Sequence, residues 1–75
     1  MTLDRMLPGG RGRIAELAGD PALVQRLYEL GFLEGELIEV LAIAPLGDPL
    51  EVRCGSARLS IRKSEAANVR LVAHN

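Results

Sequence analysis

Apolar and polar residues alternate over two stretches in the second half of the chain, and this period of two predicts a β-hairpin. The apolar positions are Leu50, Val52 and Cys54 in its first strand and Ala57, Leu59 and Ile61 in its second. Gly55-Ser56 between the two strands is a two-residue hairpin connection. The predicted core face of the first strand therefore includes Cys54.

Weaker signals predict further elements around this hairpin. Residues 37–44 are rich in β-formers and end at the loop Pro45–Pro49, whose prolines and glycine favour a turn. Residues 64–68 are expected to form a single helical turn. Residues 69–72 then supply a last strand.

A short strand is predicted near the start of the chain, over 13–17. Gly10 and Gly12 are expected to keep the chain loose until this strand begins. Ile14 and Leu17 both reach the core, with an irregularity expected in the two residues that follow Leu17.

The clearest helix signal covers residues 20–30. Asp20 is a good N-cap, Pro21 suits the first helical position, and Gly31 suits the left-handed residue after the helix. Phe32 is placed to cover the last turn. The predicted apolar stripe is made of Leu23, Leu27 and Leu30, at i, i+4 and i+7.

These elements predict a mainly β fold of one domain, residues 1–75. Four or five short strands and one helix in 75 residues favour a small, strongly bent barrel with the helix against an open end. Tyr28 and Phe32 are the only aromatic residues, so the core consists of aliphatic side chains.

Charge argues against nucleic acid as a partner. The formal net charge is −1, with nine bases and ten acids, whereas a phosphate binder carries a basic excess. The acids are concentrated in residues 1–40 and the bases in 41–75, which indicates either a mixed, solvated surface or two faces of opposite charge that orient a partner.

The inventory of reactive side chains argues against an enzyme. The single histidine, His74, is the penultimate residue, where backbone order is expected to be lowest. Cys54 is expected to be a buried structural thiol rather than a nucleophile. Gly9, Gly10 and Gly12 lack the spacing and the following Lys-Ser/Thr of a phosphate-binding loop.

No resident metal or other cofactor is expected, because one cysteine and one histidine are too few ligands for a zinc site. Glu34, Glu36 and Glu39 leave a weak divalent site open as an alternative. No stretch approaches the roughly 20 apolar residues of a membrane span, and a lone cysteine suits a reducing compartment, so a cytoplasmic protein is expected.

Several motifs stand out along the chain: Gln25-Arg26-Leu27, Glu29-Leu30-Gly31-Phe32, Gly35, Ala44-Pro45-Leu46-Gly47-Asp48-Pro49-Leu50 and Leu59-Ser60-Ile61-Arg62-Lys63-Ser64-Glu65-Ala66. Together they resemble the ferrous iron transport protein A (FeoA) family, and the match runs from about residue 7 to residue 72. Glu34 stands where that family usually has proline, and Ser60 where alanine is common.

The resemblance implies an SH3-like β-barrel with an inserted helix. It also implies a non-enzymatic cytosolic accessory that docks on the FeoB-type membrane ferrous transporter, which carries a GTPase domain, and so is recruited to the inner face of the membrane. Two alternatives stay open: an Fe²⁺ sensor or carrier, and a regulatory module like the C-terminal domain of iron-dependent repressors. A homo-oligomer is also left open.

Two surfaces are candidate partner contacts. The first is the Pro45–Pro49 loop, with Pro45, Leu46, Gly47, Asp48 and Pro49; Leu46 either forms its tip or folds back onto the barrel. The second is the helix surface opposite the leucine stripe, with Gln25, Arg26 and Glu29.

Overall fold

The computed structural model describes residues 1–73, so the expectation for His74 lies outside the described residues. A 3-10 turn over Leu3–Arg5 precedes the first strand. The remaining elements, in chain order, are β1 (Arg11–Leu17), α1 (Pro21–Glu29), β2 (Leu37–Ile43), β3 (Leu50–Cys54), β4 (Ala57–Ile61), α2 (Lys63–Ala66) and β5 (Val69–Ala73).

The five strands form one antiparallel sheet in the order β4-β3-β2-β1-β5. The predicted β3–β4 hairpin is present, with Cys54 opposite Ala57 across its two-residue turn. The last strand does not extend the hairpin but returns to pair with β1. The mainly β class with one inserted helix is therefore confirmed.

The irregularity in β1 lies inside the strand and not after it. The pairing with β5 shifts between Ile14 and Glu16, which makes Ala15 a bulge. In a regular strand, residues three apart face opposite sides of the sheet. The extra residue reverses this, so Ile14 and Leu17 are both buried as predicted, but for a different reason.

The segment at Gly10 and Gly12 is not loose, because β1 already begins at Arg11. Gly12 lies where β5 crosses closely: a Cβ on Gly12 would come within 2.9 Å of the carbonyl oxygen of Val72. The glycine here permits strand pairing rather than flexibility.

Both ends of α1 are capped as predicted. The Asp20 carboxylate accepts the Leu23 N–H at 3.0 Å, and Pro21 is the first helical residue. At the other end Gly31 has φ +96°, while the Phe32 N–H donates to the Leu27 carbonyl at 3.0 Å. The Gly31 N–H donates to the Tyr28 carbonyl at 2.9 Å, which completes a Schellman motif.

The predicted stripe is wrong at Leu30. Leu27 is fully buried and Leu23 is half-buried, but Leu30 is 38% exposed because it is already the C-cap, where the helix turns away. Val24 packs against the core instead. The buried face of α1 is therefore shorter than the leucine spacing indicates.

One apolar cluster fills the space between the sheet, α1, α2 and the N-terminal 3-10 turn. Phe32 is its only aromatic member, and Leu3 and Met6 enter it from the 3-10 turn, which no periodicity predicts. Its buried residues are Leu3, Met6, Ile14, Leu17, Leu27, Phe32, Ile38, Val40, Leu50, Val52, Cys54, Ile61, Ala66, Val69 and Leu71.

The predicted helical turn near 64–68 is present as α2, one residue earlier at its start. Lys63 is its first residue and Ala66 its last. Ala66 is fully buried, so α2, which connects β4 to β5 along the chain, contributes a side chain to the core.

Replacing Gly31 by valine should destabilise the fold by about 1–3 kcal/mol, because a β-branched residue is strained at positive φ. Nothing lies within 4 Å of the point that a Cβ on Gly31 would occupy. The loss of stability therefore comes from backbone strain and not from a steric clash. Gly31→Asn is the matched control and should cost less than about 1 kcal/mol. Urea unfolding measures both; equal stability of the two variants would contradict this assignment of the helix stop.

Candidate binding cleft

A cleft of about 400 Å³ lies where four segments of the chain meet. These are α1, the Pro45–Pro49 loop, β4 and the start of α2. The lining residues are Arg26, Asp48, Pro49, Ser60, Arg62 and Glu65. The two surfaces singled out in the sequence therefore converge at one place, through Arg26 from the helix and Asp48 and Pro49 from the loop.

The Pro45–Pro49 loop is tied down at both ends. The Gly47 N–H donates to the Ala44 carbonyl at 2.7 Å, and the Ala44 N–H donates to the Pro49 carbonyl at 3.1 Å. The Asp48 carboxylate accepts the backbone N–H of Lys63 at 2.9 Å. This last bond attaches the loop to the first residue of α2.

Leu46 projects from the tip of this loop and is 97% exposed. The alternative in which Leu46 folds back onto the barrel is therefore wrong. Its side chain contributes nothing to the buried core, and a large exposed apolar residue on an anchored loop is available for contact.

Glu65 joins α1 to α2 on the opposite wall of the cleft. Its carboxylate accepts the Arg62 N–H at 3.1 Å, which satisfies one of the free donors at the start of α2. The same carboxylate forms an ion pair with Arg26. The Glu65 side chain is only 14% exposed, against 58% for Arg26, so solvent screens this pair less than the other ion pairs of the surface.

The other two helix candidates do not line the cleft. Gln25 and Glu29 are exposed and hydrogen-bonded to each other, with Nε2 of Gln25 3.4 Å from the Glu29 carboxylate. Arg26 reaches the cleft because the next residue, Leu27, is fully buried and so fixes how α1 is rotated.

Three cleft residues were missed in the sequence: Ser60, Arg62 and Glu65. A signal was present, since Glu65 stands three residues after Arg62, the spacing at which a glutamate reaches back to cap a helix start. The adjacent cations Arg62 and Lys63 were a second signal. Their place beside Arg26 depends on tertiary packing.

A second cavity of about 170 Å³ adjoins the cleft and shares Pro49 and Ser60 with it. The rest of its lining comes from the end of β2 and from β3. These residues are Ala42, Ile43, Ala44 and Glu51, mostly small or apolar. The cleft and this cavity thus adjoin each other through Pro49 and Ser60.

Cys54 is buried as predicted. Its Sγ lies 3.6 Å from the carbonyl oxygen of Gly31, beneath the end of α1. Burial, and to a lesser degree the nearby Glu36 carboxylate, raise the pKa of the Cys54 thiol above its ordinary value. The neutral thiol is therefore favoured, which suits a structural rather than a nucleophilic role.

Two of the three glutamates considered for a weak metal site, Glu34 and Glu39, have separate partners. The Tyr28 hydroxyl donates to Glu34 at 2.7 Å, and this hydrogen bond raises the pKa of Tyr28. Glu39 pairs with Arg53 at 3.4 Å. Within residues 1–73, no group of three or more His, Cys, Asp or Glu side chains is arranged to hold a metal ion.

No helix within residues 1–73 is long and apolar enough to cross a bilayer.

Comparison with protein-family models matches residues 1–73 to the FeoA domain. A curated relative is the Fe(2+) transport protein A/Fe(2+) transporter FeoB fusion protein of Porphyromonas gingivalis. It is 32% identical over 69 residues, which are 92% of this chain but 8% of the relative. This chain therefore corresponds to a small part of that relative's length.

Two solved FeoA structures are similar in both fold and sequence. The solution structure from Chlorobium tepidum has a TM-score of 0.90 and 37% identity, over 97% of this chain and 70% of that one. The crystal structure from Stenotrophomonas maltophilia, complexed with zinc, has a TM-score of 0.83 and 33% identity, over 96% and 89%. The latter is described as an SH3 domain protein, in agreement with the expected SH3-like fold.

The fold also occurs outside this family. A manganese-dependent transcriptional repressor matches with a TM-score of 0.90 at 20% identity, over 99% of this chain and 41% of the repressor. At that identity the likeness concerns the fold alone.

The ion pair between Arg26 and Glu65 should show a coupling free energy of about 1 kcal/mol in a double-mutant cycle with alanine. The reason is the low exposure of Glu65. The exposed pair Arg70–Glu16, whose atoms lie 3.0 Å apart, is the matched control and should couple by less than about 0.5 kcal/mol. Denaturant unfolding supplies the four stabilities of each cycle; equal coupling in both pairs would contradict the greater strength assigned to the cleft pair.

Cys54 should react with iodoacetamide at pH 8.5 on the order of tenfold more slowly in the folded chain than in the urea-unfolded chain. Burial both covers the sulfur and raises the pKa of the thiol, so the reactive thiolate is scarce. Mass spectrometry follows the reaction at this single cysteine. A cysteine peptide measured with and without urea corrects for the effect of urea on the reaction rate. Equal corrected rates for the folded and unfolded chains would show that the thiol is accessible in the folded chain.

Proposed function

Because the chain belongs to the FeoA family, which is associated with ferrous iron transport, we propose that it is an accessory protein that docks on a FeoB-type membrane transporter and modulates iron uptake. The protein acts by binding and not by catalysis. It works on the cytosolic side, where the transporter's GTPase domain lies, and reaches the membrane through its partner.

One observation carries this proposal. In the Porphyromonas gingivalis relative, a segment similar to this chain and the transporter FeoB are parts of one polypeptide. Linking two proteins raises the effective concentration of each near the other, which is useful where the two act together. A separate chain must instead bind through a surface of its own.

The cleft and the loop beside it are the surface that suits such binding. Leu46 is an exposed apolar tip, and hydrogen bonds at both ends of its loop hold it in place. An ordered apolar anchor loses little conformational entropy on binding, so its contact contributes more to affinity. Arg26 and Asp48 provide polar contacts next to it.

An Fe²⁺-binding role is the second candidate, and one observation favours it: the related protein from Stenotrophomonas maltophilia was crystallised with zinc. Such a role would make the metal a cargo or signal. Titration of the chain with Fe²⁺ under anaerobic conditions tests this role. Saturable binding of one ion per chain would support it, and the absence of such binding would rule it out.

An NMR titration of the isotope-labelled chain with the cytosolic domain of its own organism's transporter, with and without GTP, tests the docking. We expect shifts in the Pro45–Pro49 loop and at Arg26. Unchanged spectra at several hundred micromolar partner would overturn docking on that domain.

Leu46→Asp should weaken binding to that domain by about tenfold, since it places a charge in the apolar contact. The free energy of unfolding should change by less than about 0.5 kcal/mol, because Leu46 is almost fully exposed. Leu7→Asp is the matched control, as Leu7 is 74% exposed and lines neither the cleft nor the adjoining cavity. Equal affinity of the two variants, measured by calorimetry, would remove Leu46 from the interface.

A further inference from the structure

The sheet has two edge strands, β4 and β5, and the chain's own N-terminus pairs with one of them. Along β5, the Leu71 N–H donates to the Met1 carbonyl at 2.7 Å, and Thr2 forms a bridge with Arg70. No segment of residues 1–73 pairs in this way with the outer side of β4. An uncovered edge offers its backbone groups to another strand.

The free backbone groups of β4 belong to two residues. The two-residue turn places Cys54 and Ala57 in a hydrogen-bonded pair, and such pairs alternate along an antiparallel ladder. The N–H and C=O groups of Arg58 and Ser60 therefore point away from β3. No backbone hydrogen bond joins any of these four groups to another described residue. The row ends at Arg62, whose N–H and carbonyl are both hydrogen-bonded to α2.

A second β4 fits this edge in one antiparallel register. When a two-fold axis passes through Leu59, Arg58 of each copy lies opposite Ser60 of the other, and both become hydrogen-bonded pairs. All four free groups of each strand then have partners. An axis at Arg58 would place two arginines opposite each other, and one at Ser60 would place Arg58 opposite Arg62, whose backbone groups α2 already uses.

The side chains also match in this register. On the inner face, Leu59 meets its counterpart and Ala57 meets Ile61 of the second copy, so every pair is apolar. Ala57 and Leu59 are only half-buried in the single chain, and pairing removes more of their surface from water. On the outer face each Arg58 lies opposite a serine and keeps its ion pair with Glu51 of its own chain. Like charges therefore do not lie directly opposite each other.

We propose that the β4 edge binds the β4 edge of a second copy of this chain, antiparallel about Leu59, so that the two sheets become continuous. The contact is short, and it is smaller than the roughly 1,200 Å² that stable dimers bury. The dimer therefore forms at high local concentration, with a dissociation constant on the order of 100 µM. This self-association is separate from the proposed docking and does not require the transporter.

Sedimentation equilibrium from about 10 µM to about 1 mM tests the association. We expect the apparent mass to rise from the monomer value of 8.1 kDa toward twice that value. A mass that stays at the monomer value throughout overturns the proposal.

Ser60→Lys should raise the dissociation constant by about tenfold, because the lysine lies opposite Arg58 of the second copy and the contact occurs twice in the dimer. Within its own hairpin the lysine lies opposite Glu51, so the fold keeps its stability. Ala42→Lys is the matched control. Ala42 is exposed and also lies opposite Glu51, but on β2 and away from the edge. Its replacement should change the dissociation constant by less than about twofold; equal effects of the two lysines would overturn β4 as the contact.

Amide hydrogen exchange followed by NMR tests the register. At about 1 mM, the N–H groups of Arg58 and Ser60 should exchange about threefold more slowly than at about 20 µM, because the dimer engages them. The Leu59 N–H faces β3 and should be protected equally at both concentrations.

Two results of the exchange experiment would contradict the proposal. A rise in mass without slower exchange at Arg58 and Ser60 would overturn the β4 edge as the site of association. Slower exchange that appears only after the transporter's cytosolic domain is added would assign the edge to an extended segment of that protein, and would overturn self-pairing.

Discussion

Burial of Leu27 and Phe32 fixes α1 against the sheet, and the cleft depends on that attachment. Both side chains are fully buried. The Phe32 N–H donates a hydrogen bond to the Leu27 carbonyl at 3.0 Å, which holds the end of the helix over the core. Burying side chains of this size contributes about 1.5–3 kcal/mol each, a large share of the stability of so small a fold. With Leu27 facing inward, the preceding Arg26 meets Glu65 across the cleft.

The acids of the cleft hold the walls together. Asp48 and Glu65 each accept a backbone N–H at the start of α2, where the helix leaves donors without partners of its own. The hydrogen bond of Asp48 connects the loop to α2, and the ion pair between Glu65 and Arg26 connects α2 to α1. The surface is therefore shaped before any partner arrives, which reduces the entropy lost on binding.

The local elements of this fold could be predicted from the sequence, because their signals are local. Asp20, Pro21 and Gly31 mark the ends of α1, and alternation marks β3 and β4. The bulge at Ala15 could not, since it exists only in the register of β1 against β5.

The cleft, like the bulge, depends on contacts between segments that no local sequence signal predicts. Arg26, Asp48 and Pro49 could be named as surface residues, but their meeting with Arg62 depends on segments that only tertiary packing brings together. Leu30 shows the opposite error. Its spacing fits a helix stripe, yet Leu30 is exposed as the C-cap of α1, because periodicity alone does not show at which residue the helix itself ends.

The pairing of β1 with β5 has a consequence for how the chain acquires its fold. Leu17 lies opposite Val69, more than fifty positions further along the chain, whereas the β3–β4 hairpin joins residues that are close in sequence. The hairpin can form early because its connecting loop is short, but β1 gains its second neighbour only when the long intervening chain closes into a loop. Contacts of such long sequence separation slow folding. The pairing of β1 with β5, the first and last of the five strands along the chain, therefore sets the rate at which the sheet is completed.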